Sequence, residues 1–306
     1  MSMRVFAVKP KLIIIFIIVV VVLLYLTFKS TYRPSSGPLS TIKLDAGSVG
    51  HGYATVVIST QDLEDRLRKG EKIDENSSKL AELIRFKYIA KAKPDRPYNL
   101  QDVQKKDFSR GQSMFIEETL GSKKNGFFID IGAGDGEKDS VSLYLEKELR
   151  WTGLLIEPDP AKQQDLALKN RKADILHGCV NNEKFAMQKK IKEGHLFTDS
   201  ASDQDQEGYP VMCFPFSAIA TAIGRRHIDL VTIDANRREL EILETIPFNL
   251  IEIEILSVEF QEDEANDIIQ FMRSQGYKAI NLMDNRILDK RDLIFRRRST
   301  NENSNV

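Results

Sequence analysis

The stretch IDIGAGDG, Ile129 to Gly136, limits the fold of this chain more than any other. An apolar run closes on Asp130 and Ile131, and glycine then stands at 132, 134 and 136. Glycine at every second place lets the backbone turn tightly and approach a ligand closely. Such turns sit at the C-terminal ends of strands in open α/β sheets, where those folds bind their ligands.

The sequence around the loop supports that placement. A short helix is expected at Met114–Leu120, ended by Gly121, and a buried strand at Phe127–Ile131. Asp139–Glu148 reads as a helix and Gly153–Ile156 as a strand. Pro160 opens a helix running to about Asn170, since proline is tolerated in a first helical turn. Further strands are expected at Ile175–His177, Leu230–Ile233, Ile251–Phe260, Lys278–Leu282 and Leu293–Phe295. Helices are expected at Arg238–Thr245 and Asp263–Gln275, the latter closed by Gly276. Residues 180–217 read as irregular and polar. Alternation of this kind predicts a doubly wound α/β fold with a mostly parallel sheet and helices on both faces.

The loop chemistry narrows the ligand. A dinucleotide fingerprint needs glycine where Glu137 stands. The GxGxG spacing instead resembles the first motif of S-adenosylmethionine-dependent methyltransferases. Their cofactor has no pyrophosphate, and an acidic lip of Asp130, Asp135 and Glu137 suits a sulfonium and an amino group. Glu157, in LLIEPDP, stands at the tip of the next strand, where a carboxylate accepts hydrogen bonds from ribose hydroxyls. Taken alone it also reads as a surface acid before a proline-initiated helix. Cys179 and Val180, in GCVNN, follow the third strand, where methyltransferase folds place adenine contacts; a plain loop with a structural cysteine is the competing reading. Asp234 ends the fourth strand on the same edge, as a ligand-facing or a helix-capping acid.

The N-terminal part follows other rules. Leu12 to Phe28 is an apolar run of seventeen residues without charge, proline or glycine. As a helix it measures about 25 Å, close to a thin bilayer's hydrocarbon layer. It is longer than a signal-peptide core and lacks a small-residue cleavage site, so a signal anchor is expected. Arg4, Lys9 and Lys11 before the span mildly favour a cytoplasmic N-terminus and a lumenal body. Asn76-Ser77-Ser78 is a sequon that such a topology exposes to glycosylation. Residues 29–60 read as a stem rich in Ser, Thr, Gly and Pro, and 61–111 as a charged extension with a helix near Ser78 to Ala92. The expected organisation is a head at 1–11, the anchor at 12–28, these two segments, a catalytic-fold domain at 112–298 and a polar tail at 299–306.

Net charge is −1, which gives no field for nucleic acid. The four histidines are scattered and show no metal-ligand spacing. Cys179 and Cys213 form a disulfide in an oxidising lumen, or stay two separate thiols.

Several motifs together resemble the FkbM-type methyltransferase domain: GFFIDIGAGDG (Gly126 to Gly136), WTGLLIEPDP (Trp151 to Pro160), IDLVTID (Ile228 to Asp234), ELEIL (Glu239 to Leu243) and ILSVEF (Ile255 to Phe260). The resemblance covers roughly 112–298. It implies a seven-stranded methyltransferase sheet, with S-adenosylmethionine held by Asp130, Gly132, Gly134, Gly136, Glu157, Cys179 and Val180. With a membrane span added, the chain resembles the arthropod Star-like proteins. That implies a type II membrane protein of the endoplasmic reticulum, Golgi, endosome or plasma membrane. Its partners would be the bilayer and membrane-tethered growth-factor precursors in vesicle-mediated transport. One departure stands out. FkbM-type domains usually read Asp-x-Glu-Gly-x-Glu after the fourth strand, whereas this chain reads Asp234-Ala235-Asn236-Arg237-Arg238-Glu239. Methyl transfer to a hydroxyl needs orientation and a base. Asp234 and Glu239 are the candidates, with Glu259 a third.

Overall fold

The computed structural model describes residues 59–192, 195–197, 208–280 and 292–298. The chain divides into two units, Met1–Thr55 and Val56–Val306, and all described residues lie in the second. The expected anchor at 12–28 and tail at 299–306 lie outside the described residues. Among the described residues no helix is long and apolar enough to cross a membrane.

The chain opens with α1 (Thr60–Arg68), β1 (Ile73–Asp74), α2 (Ser78–Leu83), a π-turn at Ile84–Tyr88 and β2 (Ile89–Ala90). Next come α3 (Gln112–Thr119), β3 (Phe127–Ile131), α4 (Ser142–Leu149), β4 (Thr152–Glu157), α5 (Pro160–Leu168) and β5 (Asp174–His177). A strand-rich stretch holds β6 (Cys179–Val180), β7 (Phe185–Lys192), β8 (His195–Phe197) and β9 (Tyr209–Phe214). Then follow α6 (Phe216–Ile223), β10 (His227–Ile233), α7 (Glu239–Thr245), β11 (Glu252–Glu259), α8 (Ala265–Ser274), β12 (Tyr277–Ala279) and β13 (Asp292–Arg297).

The main sheet runs β12-β13-β11-β10-β3-β4-β5-β2. Its five central strands, β11 to β5, are mutually parallel. The sheet has eight strands where seven were expected, and three of its pairings are antiparallel. The added strand is β2. Apolar spacing from Leu80 to Tyr88 suggested a helix reaching Ala92, but the helix ends early and the chain turns out so that Ile89 pairs with Leu176. A two-residue strand leaves no periodicity to read.

Both faces of the sheet are covered, as parallel sheets require. One face packs Phe128, Leu155, Leu230, Ile255 and Ile294 against Ile116 of α3 and Leu145 and Leu149 of α4. The other packs Ile129, Ile156, Val231 and Leu256 in a core that includes Leu63, Leu80, Ile219, Leu243 and Ile268 from α1, α2, α6, α7 and α8. The first two helices therefore share the sheet's core. Helix α1 is started by a capping box, in which Ser59 and Asp62 satisfy each other's backbone N–H groups.

In the stretch expected to be irregular, 180–217, the described residues instead supply β7, β8 and β9 of a second sheet, ordered β1-β7-β9-β6 with β8 beside β7. Its pattern was masked because a buried position of β7 is a lysine, Lys189, alongside the buried Ala186 and Ile191. Cys179 and Cys213 are registered partners on β6 and β9 and form a disulfide, with Cα atoms 4.4 Å apart. This resolves the choice between a bridge and two thiols. The bridge closes a separation of 34 residues. On loop-closure grounds it contributes about 2–4 kcal/mol. Denaturant unfolding should therefore shift to lower midpoint in dithiothreitol, and Cys179→Ser/Cys213→Ser should reproduce that shift without reductant.

Candidate functional site

The C-terminal ends of β3, β4, β10 and β11 frame two adjoining cavities of about 450 and about 230 Å³. The larger one has the size of a small-ligand site. Ile131, Gly132, Lys162 and Asp234 line both.

The glycine loop is fixed by backbone and by carboxylates. Gly132, Gly134 and Gly136 have φ of +83°, +58° and +79°. The N–H groups of Gly132 and Ala133 donate to the Ile156 carbonyl at 2.9 and 3.0 Å. Gly134 N–H donates to Glu157 Oε2 at 2.8 Å, and Asp159 N–H donates to Glu157 Oε1 at 2.8 Å. Glu157 is buried, and that burial pushes its carboxyl up to about 7 despite the two N–H donors. It lines the smaller cavity together with Cys179, Val180 and Ile191, so the second sheet forms one wall.

Asp130 and Gly134 line the larger cavity, while Asp234, just past β10 and exposed, faces both. Asp130 accepts hydrogen bonds from Ser142 Oγ at 2.5 Å and Thr232 Oγ1 at 2.7 Å, and burial raises its pKa. Two expected residues stand elsewhere. Gly136 lies behind the loop, where an added Cβ would run into Leu166. Glu239 lines neither cavity; it is buried and accepts Ala235 N–H at 2.7 Å, holding the loop that carries Asp234.

The acidic lip is also only partly present. Asp135 lines the cavity but accepts the N–H groups of Glu137 and Lys138. Glu137 is buried away from it, bonded to Lys169 Nζ at 2.6 Å and to the N–H groups of Gln101 and Asp102. Burial pushes its carboxyl up, yet Lys169 and those N–H groups outweigh it and leave it below its ordinary value.

Other residues of the site carried no motif. Arg171 is fully buried against Glu146 at 3.1 Å and donates to the Gly136 carbonyl at 2.5 Å and to Ser142 Oγ at 2.9 Å. It ties the glycine loop to the Ser142–Asp130–Thr232 chain. Lys162 and Arg238 bring positive charge to the smaller cavity. At the opposite end of β10 and β11, His227, Asp229 and Glu254 bring ligand-type atoms within 4.8 Å of one another. There the Lys123 ammonium bonds both Asp229 and Glu254.

The departure after β10 has a structural signature. Asn236 and Arg237 both have positive φ, +57° and +72°. Arg237 thus keeps a left-handed backbone at the place where FkbM-type domains carry glycine, a conformation costing a side-chain-bearing residue about 1–2 kcal/mol. Its guanidinium bonds Asp263 at 2.6 Å.

The strand order, the glycine loop and the acid at the next strand tip form one arrangement at the C-terminal edge of the sheet. Residues 130–279 match the Methyltransferase FkbM domain. No curated protein matches the chain. Among solved structures, the FkbM methyltransferase of Methylobacillus flagellatus is similar at 13% identity and a TM-score of 0.36, over 56% of this chain and 43% of that one. A methyltransferase from Pyrococcus furiosus shows 13% identity and a TM-score of 0.37, over 65% and 88%. A TehB-like SAM-dependent methyltransferase from Corynebacterium glutamicum shows 13% and 0.36, over 61% and 88%. The matched segment starts at Asp130 and ends in β12, so it contains the glycine loop, Glu157, both cysteines and Asp234.

Proposed function

We propose that this FkbM-type domain binds S-adenosylmethionine across the two cavities and transfers its methyl group to an acceptor hydroxyl. The observation that carries the reading is the Glu157 carboxylate, bonded to the N–H of Gly134 and lining the smaller cavity. Two further features fit the cofactor. Space is open around Gly134, where an added Cβ meets nothing within 4 Å. A buried hydroxyl on the larger cavity, Ser257 Oγ, has no partner.

In this reading Glu157 holds the ribose diol, and Cys179 and Val180 flank the base. The cofactor supplies a methyl group activated on a sulfonium. Asp234, the one carboxylate lining both cavities, takes the proton from the acceptor hydroxyl as its oxygen gains the methyl. The loop from Gly132 to Gly136 sets the approach, which is where an orienting enzyme gains most of its rate.

Calorimetric titration of the full-length chain with S-adenosylmethionine tests this, and an absence of binding overturns it. The titration should also depend on pH. Ionised Glu157 accepts hydroxyl donors better than the neutral acid, so affinity should rise several-fold between pH 6 and pH 8, centred near 7. Glu157→Gln should bind at least tenfold more weakly and lose that slope. Stability runs the other way. The folded state holds the Glu157 proton more tightly, so this group's contribution is fully present below the ordinary carboxylate range and is lost as pH rises through about 7.

A second reading is favoured by Arg237 and the disulfide. A membrane-anchored factor with a lumenal body would escort growth-factor precursors through the secretory pathway, in the manner of Star-like proteins, and need no turnover. Arg237 supports it by standing where the family's loop has glycine. The Cys179–Cys213 bridge supports an oxidising compartment. Asn76 is exposed in the turn between β1 and α2, open to a glycosyltransferase. A glycosidase-sensitive shift on gels, lost in Asn76→Gln, is the expected result. Its absence in secretory-pathway membranes would place the body on the other side.

A further inference from the structure

Two of the most exposed large apolar side chains among the described residues, Phe86 at 78% and Leu250 at 68%, stand away from the cavities. In the π-turn, Ile84 is fully buried and Tyr88 packs edge-on against Phe214 with ring centroids 4.9 Å apart. Phe86, between them, is left outside. Leu250 lies in the turn between α7 and β11, two residues before Glu252 opens the strand.

Hydrogen bonds bring the two to one pole. Arg85 Nε donates to the Ala222 carbonyl at 2.6 Å, which fixes the π-turn to the C-terminal end of α6. That end leads through Gly224, Arg225 and Arg226 into β10, and Glu252 N–H donates to the Arg226 carbonyl at 2.7 Å. Phe86 and Leu250 therefore flank the start of β10. The cavities open past its other end, about 20 Å of strand away.

The ground between them is basic. Arg225 sits over the Phe127 ring at 4.3 Å, and Arg226 beside it is exposed. Beyond Phe86, Lys87 and Arg68 both bond Glu64, so two surface cations answer one buried acid. Glu252, the acid next to Arg226, is answered by Arg297. A single exposed apolar side chain is common on soluble proteins, whereas two at one pole among cations have the composition of a face that enters a lipid headgroup layer. The route of the chain agrees. The apolar run Leu12–Phe28 lies upstream of Ser59, and α1, which Ser59 caps, ends at Arg68, one shared carboxylate from Lys87.

We propose that this pole docks on a bilayer containing anionic lipid. Phe86 and Leu250 enter the headgroup region, Arg225 and Arg226 meet its phosphates, and both cavities face away from the membrane. The proposal does not depend on methyl transfer.

The full-length chain reconstituted in vesicles tests it, with tryptophan reporting depth. The native Trp151 is fully buried and gives a constant background. Phe86→Trp and Leu250→Trp replace exposed side chains, so their melting temperatures should match wild type. Each should be quenched by brominated lipid. Met114→Trp should not be, because Met114 lies on α3 two residues from Gln112, which lines the larger cavity. Quenching should be several-fold stronger in vesicles carrying phosphatidylserine than in phosphatidylcholine alone, and Arg226→Glu should remove that difference. No quenching of Phe86→Trp and Leu250→Trp, equal quenching of all three reporters, or quenching indifferent to phosphatidylserine and to Arg226→Glu overturns the proposal. So does a pole that stays unquenched in vesicles while Phe86→Asp/Leu250→Asp abolishes self-association in sedimentation, because it then meets a second copy of the chain.

Discussion

Gly132→Ala is expected to cost about 3 kcal/mol or more and to abolish ligand binding. Gly132 has a φ of +83°, and a Cβ built there collides with the backbone carbonyl of Asp234. No side-chain rotation relieves a clash with backbone. The two segments are also pinned, since Asp234 N–H donates to the Ile131 carbonyl at 2.9 Å and Gly132 N–H to that of Ile156. The variant must therefore part β3 from β10 at the edge where both cavities open. Thermal melting should show a drop on the order of 10 °C for a unit of this size. Gly134→Ala is the control. Its φ of +58° is a left-handed value that alanine adopts at about 1–2 kcal/mol, and the added methyl meets nothing within 4 Å. It should stay folded and lose affinity alone.

Arg171→Met is the second large effect. Arg171 and Glu146 are fully buried against each other, and removing one leaves an uncompensated charge, at about 3–5 kcal/mol. Chemical denaturation should report that loss. The double variant Arg171→Met/Glu146→Leu should regain most of it, because no buried charge is stranded. Binding should not return. Arg171 also donates to the Gly136 carbonyl and to Ser142, which in turn bonds Asp130, and methionine restores none of these. Recovery of affinity in the double variant would show that the loop holds its place without Arg171.

Much of the site was legible because its determinants are local. A glycine that needs positive φ and an acid three residues before a helix-opening proline show in the letters themselves, and Gly132, Gly134 and Glu157 stand where the strand-end reading put them. Gly136 and Glu239 were misplaced for one shared reason. Their types fit a ligand contact and an internal anchor equally well, and only packing tells which; here Gly136 abuts Leu166 and Glu239 holds Ala235 N–H. Arg171 was invisible because its partner, Glu146, lies 25 residues away on another element. Asp130, Thr232 and Ser257, registered neighbours on β3, β10 and β11, left a trace, a polar letter near the end of each of three apolar runs. Its meaning depends on the register of strands far apart in the chain.

The sequence by itself determined the parallel α/β core, the turn after β3 and the acid at the tip of β4. Each follows from steric rules and burial patterns acting within a few residues. Only the tertiary structure decided that β7, β8 and β9 join a second sheet, that Cys179 meets Cys213 beside the smaller cavity, and which acids face a ligand and which hold the frame. The physical reason is that strand register, desolvation and ion pairing are set by whichever distant residue comes to lie opposite, and that neighbour is chosen by the fold.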